Sequence, residues 1–281
     1  MDKKAVRTAV SELYDALGGS ILTEQDDIKQ EYIGLRLLDA PLVGFGAAGD
    51  PLFEKYKAPG VIGPWHMSPA EWLPGAQTVI SFFFPVSETI RRANAKKKDI
   101  AALSWAYARI EGQQFLGRFT KVFAKRLEEA GAAVCIPQSD PRWQGVEAGK
   151  GITGYPEINE ATFGSRWSER HAAYVCGLGT FGLSKGLITE KGMAGRFASV
   201  ITTLRFEPDA RQYEGVYDYC IHCNACVRRC PVNAIDPEKG KDHVICHPFI
   251  EYTREVFKPR YGCGLCQTGV PCEAANPLRR I

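Results

Sequence analysis

Cys220-Ile-His-Cys223-Asn-Ala-Cys226-Val-Arg-Arg-Cys230-Pro231 spells C-x2-C-x2-C-x3-C-P, a run whose thiolates hold [4Fe–4S] clusters. Three thiolates spaced three residues apart on a tight loop each reach a different iron of one cubane, while the loop turns backbone N–H groups toward the cluster sulfurs. The fourth cysteine lies too far along to close the same cube and serves a second one. Downstream come Cys246, Cys263-Gly-Leu-Cys266 and Cys272. By this crossing rule Cys220, Cys223, Cys226 and Cys272 form one metal-ligating set, and Cys230, Cys246, Cys263 and Cys266 the other. The step from Cys266 to Cys272 is C-x5-C, longer than the C-x3-C of the first run. A structural zinc site would show two separated C-x2-C pairs instead, and disulfides do not suit the reducing compartment expected below.

The chain has 281 residues, 45% hydrophobic and 24% charged, which suits a globular protein of two domains. A net charge of +3 gives no argument for nucleic acid, and the runs Lys96-Lys97-Lys98 and Arg228-Arg229 read as solvated faces. The first residues lead straight into an amphipathic helix without an apolar leader core. The longest apolar stretch, Val79-Ile80-Ser81-Phe82-Phe83-Phe84, is too short to cross a bilayer and reads as a buried strand. The expectation is a cytoplasmic protein with no membrane contact.

Ahead of the cysteines the pattern alternates. Val6 to Leu17 reads as a helix, Leu42 to Gly46 as a strand, and Asp50 to Gly75 as a long loop rich in proline, glycine and aromatics. Ala76 to Pro85 gives a central strand. Ile100 to Ala130 is helical, with a break or bend expected near Gly112 and Gly117. Ala132 to Ile136 and Arg196 to Thr203 read as further strands, and Trp167 to Val175 as helix or strand. This places residues 1–206 in a large domain of α/β or α+β class and residues 207–281 in a smaller cysteine-bearing module, with the boundary at Glu207-Pro208-Asp209.

Gly177-Leu178-Gly179-Thr180-Phe181-Gly182 matches G-x-G-x-x-G. A dinucleotide site needs a helix behind that motif, and Ser184-Lys185-Gly186, Gly192 and Gly195 prevent one. The segment is either a tight turn or a place where backbone approaches a large flat ring. Cys135 and Cys176 read as buried structural thiols. His171 and His247 are either satisfied core or surface residues or contacts to a cofactor.

The stretch Ser168 to Ser184, then Leu187-Ile188-Thr189, the strand ending Val200-Ile201-Thr202, the cysteine run, Cys246 and Tyr261-Gly262-Cys263 to Cys266-Gln267 together resemble the epoxyqueuosine reductase family, over about residues 70–272. Reductive dehalogenases share that architecture. The resemblance implies a nitroreductase-like α+β large domain that binds cobalamin, a corrinoid, in base-off form, followed by a ferredoxin-like module with two [4Fe–4S] clusters. It implies a reductase in which an external electron donor of ferredoxin or flavodoxin type feeds the clusters, and the corrinoid reduces a small-molecule substrate. On that reading Gly177, Leu178, Gly179, Thr180, Phe181 and Gly182 line the cofactor. The alternative is an electron-transfer protein that reduces the cofactor of a partner, such as a corrinoid protein.

Two departures shape the expectation. Members carry an aspartate, taken as the proton donor, just ahead of the region matching Glu169-Arg170, whereas Ala161 to Trp167 holds no carboxylate. The helical-repeat tail that many members set beside tRNA has no counterpart before Ile281, so reduction of a tRNA base is not expected. Candidate catalytic residues are Tyr107 with Arg109, whose phenol and guanidinium suit a developing anion, and then Glu160. The plainer reading packs Tyr107 within its helix and pairs Arg109 with a surface carboxylate.

Overall fold

The computed structural model describes residues 2–24, 27–145, 151–158 and 164–280. In chain order the elements are α1 (Lys3–Ala16), β1 (Leu42–Ala47), α2 (Pro51–Lys55), α3 (Pro69–Trp72), β2 (Thr78–Pro85), α4 (Glu88–Ala95), α5 (Leu103–Glu129) and β3 (Val134–Cys135). Next come α6 (Glu169–Val175), β4 (Gly179–Phe181), β5 (Leu187–Thr189) and β6 (Gly195–Thr202). The cysteine region adds α7 (Ala225–Arg228), β7 (Ile235–Asp236), β8 (Gly240–Lys241) and α8 (His243–Phe257).

β2 is buried along its whole length because it is covered on both faces and paired on both edges. The central sheet runs β1-β2-β6-β3 with every pairing antiparallel, and Ser81 sits opposite Gly44 on one side and Ser199 on the other. Side chains alternate along a strand, so Ile80, Phe82 and Phe84 pack with Val200, α1 and α5, while Val79 and Phe83 join cores on the opposite face. An antiparallel sheet sandwiched by helices makes the large part α+β. Asp2 caps α1 by accepting the Ala5 N–H, and Val6, Val10 and Leu13 recur on its buried face.

The bend expected in the long helix does not occur: α5 runs unbroken through Gly112 and Gly117. Gly112 serves packing instead, since a Cβ there would stand 3.3 Å from Leu38. The strand expected at Ala132 to Ile136 shortens to two residues, and the long proline-rich loop carries two short helices, α2 and α3.

The segment at Glu207 to Asp209 is pinned rather than loose. Asp209 accepts from Lys3 Nζ and Arg7 Nη2, and its own N–H donates to the Phe45 carbonyl. The C-terminal segment returns onto the large part. Asn94 Nδ2 donates to the Cys263 carbonyl and Thr268 Oγ1, Met193 N–H donates to the Cys272 carbonyl, and Arg260 pairs with Glu111 at 2.6 Å in a buried contact. Tyr213, Tyr219 and Val270 share a core with Phe83, Leu187, Ile188 and Met193.

Candidate functional site

The geometry gathers eight cysteines around two cavities. Cys220, Cys223, Cys226 and Cys272 line one, together with Gly182, Ile188, Met193 and Val270. Cys230, Cys246, Cys263 and Cys266 line the other. α7 joins the two, since Cys226 lies within it, Cys230 just past its end, and each lines a different cavity. Three loop residues take left-handed backbone to wrap these thiols: His222 (φ +47), Asn224 (φ +56) and Gly264 (φ +63). Among the described residues, no three His, Cys, Asp or Glu side chains converge closely enough for one bound ion.

The thiols fit an iron–sulfur cluster chemically. Burial and neighbouring thiols push Cys226 up to about 11 and Cys272 up to about 12. Burial likewise pushes Cys263 up to about 12, with Cys266 and Cys246 adding to it. Four crowded thiolates are unfavourable by themselves; a polycationic core inverts that preference and deprotonates them. Donors to sulfur are present as well: the Ala234 N–H lies 3.1 Å from Cys230 Sγ and Lys241 Nζ 3.5 Å from Cys266 Sγ.

The two cavities differ in their walls. The first is apolar, and its Cys223 is exposed beside Ile221, Tyr217 and Val216. The second opens into a chamber of about 350 Å³ between the cysteine region and α5, α6 and the start of β6. Arg109, Arg170, Lys185, Arg196, Lys241 and Arg254 reach this chamber, as do His243 and His247. Glu251 is its one lining carboxylate among the described residues, held by Arg254 at 2.9 Å. Tyr261 stacks between the guanidinium groups of Arg109 (4.4 Å) and Arg254 (3.7 Å).

α5 does not bring Tyr107 and Arg109 together. Two residues apart on a helix they point to different sides. Tyr107 is buried, accepts the Lys29 N–H at 3.1 Å and lies under the Arg260 guanidinium at 4.3 Å, away from the chamber that Arg109 lines. Glu160 lies outside the described residues.

In the Gly177 to Gly182 segment the glycines serve the fold. A Cβ on Gly179 would stand 1.9 Å from the Ile188 carbonyl oxygen, because β4 pairs tightly with β5. A Cβ on Gly177 would meet the 209–210 backbone. Leu178 is buried, Thr180 Oγ1 accepts the Tyr219 N–H, and Phe181 packs near His171. Gly182 alone of the six lines a cysteine cavity. These contacts account for Gly179 within the fold, while Gly177 stays half-exposed.

His171 belongs to an aromatic group with Tyr56 and Phe181, and His66 stacks on the same Tyr56. Burial lowers His66 to about 4 and His171 to about 3, so both are neutral at physiological pH. Cys135 and Cys176 are buried thiols, and Cys176 donates to the Val79 carbonyl. Spacing along the sequence gave no hint of Arg170, Lys241 or Arg196, since only the tertiary fold brings them together.

Comparison with known proteins bears on the cysteine run. A family model described as a 4Fe-4S binding domain matches residues 213–236. An epoxyqueuosine reductase of Listeria monocytogenes is 34% identical over 114 residues, 37% of this chain and 29% of that protein. A tetrachloroethene reductive dehalogenase of Desulfitobacterium hafniense is 41% identical over 68 residues, 24% of this chain and 12% of that protein. The matches thus span less than a third of these curated relatives. Among solved structures, the epoxyqueuosine reductase of Streptococcus thermophilus superimposes with a TM-score of 0.51 at 17% identity, over 99% of this chain and 68% of that one. A catabolic reductive dehalogenase gives 0.51 at 16% identity, over 85% of this chain and 30% of that one.

The chain is a mixed α/β protein with a 4Fe-4S binding motif near its C-terminus. It is related to epoxyqueuosine reductases and reductive dehalogenases, and those relatives are reductases. Among the described residues no helix is long and apolar enough to cross a membrane.

Proposed function

We propose that this chain is an iron–sulfur reductase that carries electrons through two [4Fe–4S] clusters to an acceptor in the chamber beside the second set of thiols. The observation that carries this reading is the pair of adjoining four-thiol cavities, one reaching the surface at Cys223 and the other opening inward onto the large part of the chain. The exposed Ile221, Tyr217 and Val216 around Cys223 suit docking of an external donor of ferredoxin or flavodoxin type. Residues 207–281 would carry the electrons and residues 1–206 would wall the acceptor.

A corrinoid is the acceptor this reading favours. One structural neighbour is described by its mechanism of B12-dependent dehalogenation (TM-score 0.51, 15% identity, 98% of this chain and 37% of that one). Such a cofactor, when bound, supplies a metal centre that takes up single electrons and acts on a small-molecule substrate. This chain's own contribution is to exclude bulk water behind Trp105 and Val86 and to place Arg109 and Arg170 beside the acceptor.

The deciding experiment is anaerobic expression with hydroxocobalamin supplied, followed by iron, sulfide and cobalt analysis per chain. About eight irons and eight sulfides with stoichiometric cobalt are expected. About eight irons without cobalt would instead support an electron-transfer protein serving a partner, such as a corrinoid protein. Colourless protein free of sulfide would overturn both. A second reading, reduction of a nucleic-acid base, is favoured by a neighbour solved with an epoxyqueuosine-modified tRNA stem loop (TM-score 0.50, 16% identity). Incubating the reduced protein with such a stem loop and analysing its nucleosides tests it directly.

A further inference from the structure

Six cations reach the chamber and one carboxylate, Glu251, answers them. Resting on the reductase reading, a [4Fe–4S] core with four thiolates adds about two negative charges at Cys230, Cys246, Cys263 and Cys266. About three positive charges are then left unbalanced around the chamber.

The surplus is not spread evenly. Arg254 is held by Glu251, Lys241 Nζ lies on Cys266 Sγ, and Arg196 is bonded to Gln113 Oε1. Among the described residues Arg109 and Arg170 have no such partner. Among the described residues no carboxylate lies within ion-pair distance of either. Glu251 is within electrostatic reach of Arg109, yet both its oxygens are taken by Arg254. Arg109 Nε is buried without a hydrogen bond. The backbone is also shaped around Arg109: a Cβ on Gly262, which has φ +140, would stand 2.6 Å from Arg109 Cδ. Arg170 projects from the start of α6 into the same space with its residue exposed, within electrostatic reach of Arg109 and Cys266. Two guanidinium groups on one chamber, one half-buried and one exposed, offer joint donors to an anion, and planar guanidinium forks match oxyanions.

We propose that Arg109 and Arg170 form a binding site for an oxyanion, a carboxylate or phosphate group carried by the molecule that occupies the chamber beside the second cluster. Two sources share this chemistry: a small anionic substrate, and the phosphodiester of a bound corrinoid.

The test is equilibrium dialysis of the cluster-reconstituted full chain against labelled inorganic phosphate at low ionic strength, with and without hydroxocobalamin. Saturable binding of one phosphate is expected, weakened at least about tenfold in Arg170→Gln and in Arg109→Gln, and weakened less in Arg170→Lys, which keeps the charge without the fork. Competition by hydroxocobalamin assigns the oxyanion to the corrinoid; persistence of phosphate binding beside it assigns the oxyanion to the substrate. Absence of saturable binding by the unaltered chain, or binding unchanged in both glutamine variants, overturns the proposal. Iron and sulfide measured on the same samples report separately on the reductase reading, so the two can fail independently.

Discussion

Lys241 places its ammonium 3.5 Å from the Sγ of Cys266, one of the proposed cluster ligands. Reduction adds negative charge to a cluster, and a neighbouring cation stabilises the reduced form more than the oxidised one. Lys241→Gln should therefore shift one cluster to a more negative potential and leave the other, walled by apolar groups, where it was. A redox titration followed by EPR checks this; equal shifts of both signals would contradict the assignment of Cys266 to one set. Glu169 offers a second residue-scale test. It is buried, neither carboxyl oxygen has a geometric hydrogen-bond partner among the described residues, and Trp167 and Ser199 beside it bond each other. Burial raises its pKa to about 7, with Ser199 and Trp167 pulling weakly the other way. Because the folded pKa lies above the unfolded one, stability is greatest below the unfolded value near 4.5. It declines as pH rises from there to about 7, then levels off. The loss is on the order of 3 kcal/mol. Glu169→Gln should flatten the melting temperature across that window and raise it at pH 8.

At the scale of elements, α5 and the β4–β5 hairpin show what glycine does in two settings. Gly117 has nothing within 4 Å of an added Cβ, so Gly117→Ala should stabilise α5 by about 0.5–1 kcal/mol. At Gly112 the same gain is opposed by Leu38 at 3.3 Å, so Gly112→Ala should gain less or lose; paired thermal melts rank the two. Gly179→Ala puts a methyl against the Ile188 carbonyl. It should open the hairpin that carries Gly182 and Ile188 to the first cysteine cavity, and so deplete that cluster's EPR signal first. These elements also mark where sequence stopped being legible. The hydrophobic runs gave α1, β1, β2 and β6 nearly in place, because their side chains alternate or recur on buried faces. Spacing alone separates the eight cysteines into the two groups that line the two cavities. The bend expected in α5 failed because propensity penalises glycine without knowing that Leu38 needs the room. Tyr107 and Arg109 looked like a pair in sequence, yet a helix turns residues two apart away from each other. The chamber was invisible, since Arg109, Arg170 and Lys241 are far apart in sequence and joined only by the docking of the cysteine region on α5 and α6.

For the whole molecule, that docking decides whether the chain is two independent parts or one. Tyr213, Tyr219 and Val270 complete a core begun by Phe83 and Met193, Cys272 and Glu273 carbonyls accept from the 193–194 backbone, and Arg260 and Glu111 pair while almost fully buried. Separating the parts would expose this apolar surface and break the hydrogen bonds and the Arg260–Glu111 pair that cross it. A segment of about 75 residues with short strands and little core of its own cannot offset such losses, even with clusters to staple it. Expressed by itself, 207–281 should therefore bind little iron and be digested rapidly by a nonspecific protease. The full chain should hold about eight irons and resist the same treatment. Iron analysis and timed proteolysis of the two species under anaerobic conditions decide the matter. A fragment that held both clusters and resisted digestion would show that the large part is only a neighbour to the electron path, not a wall of it.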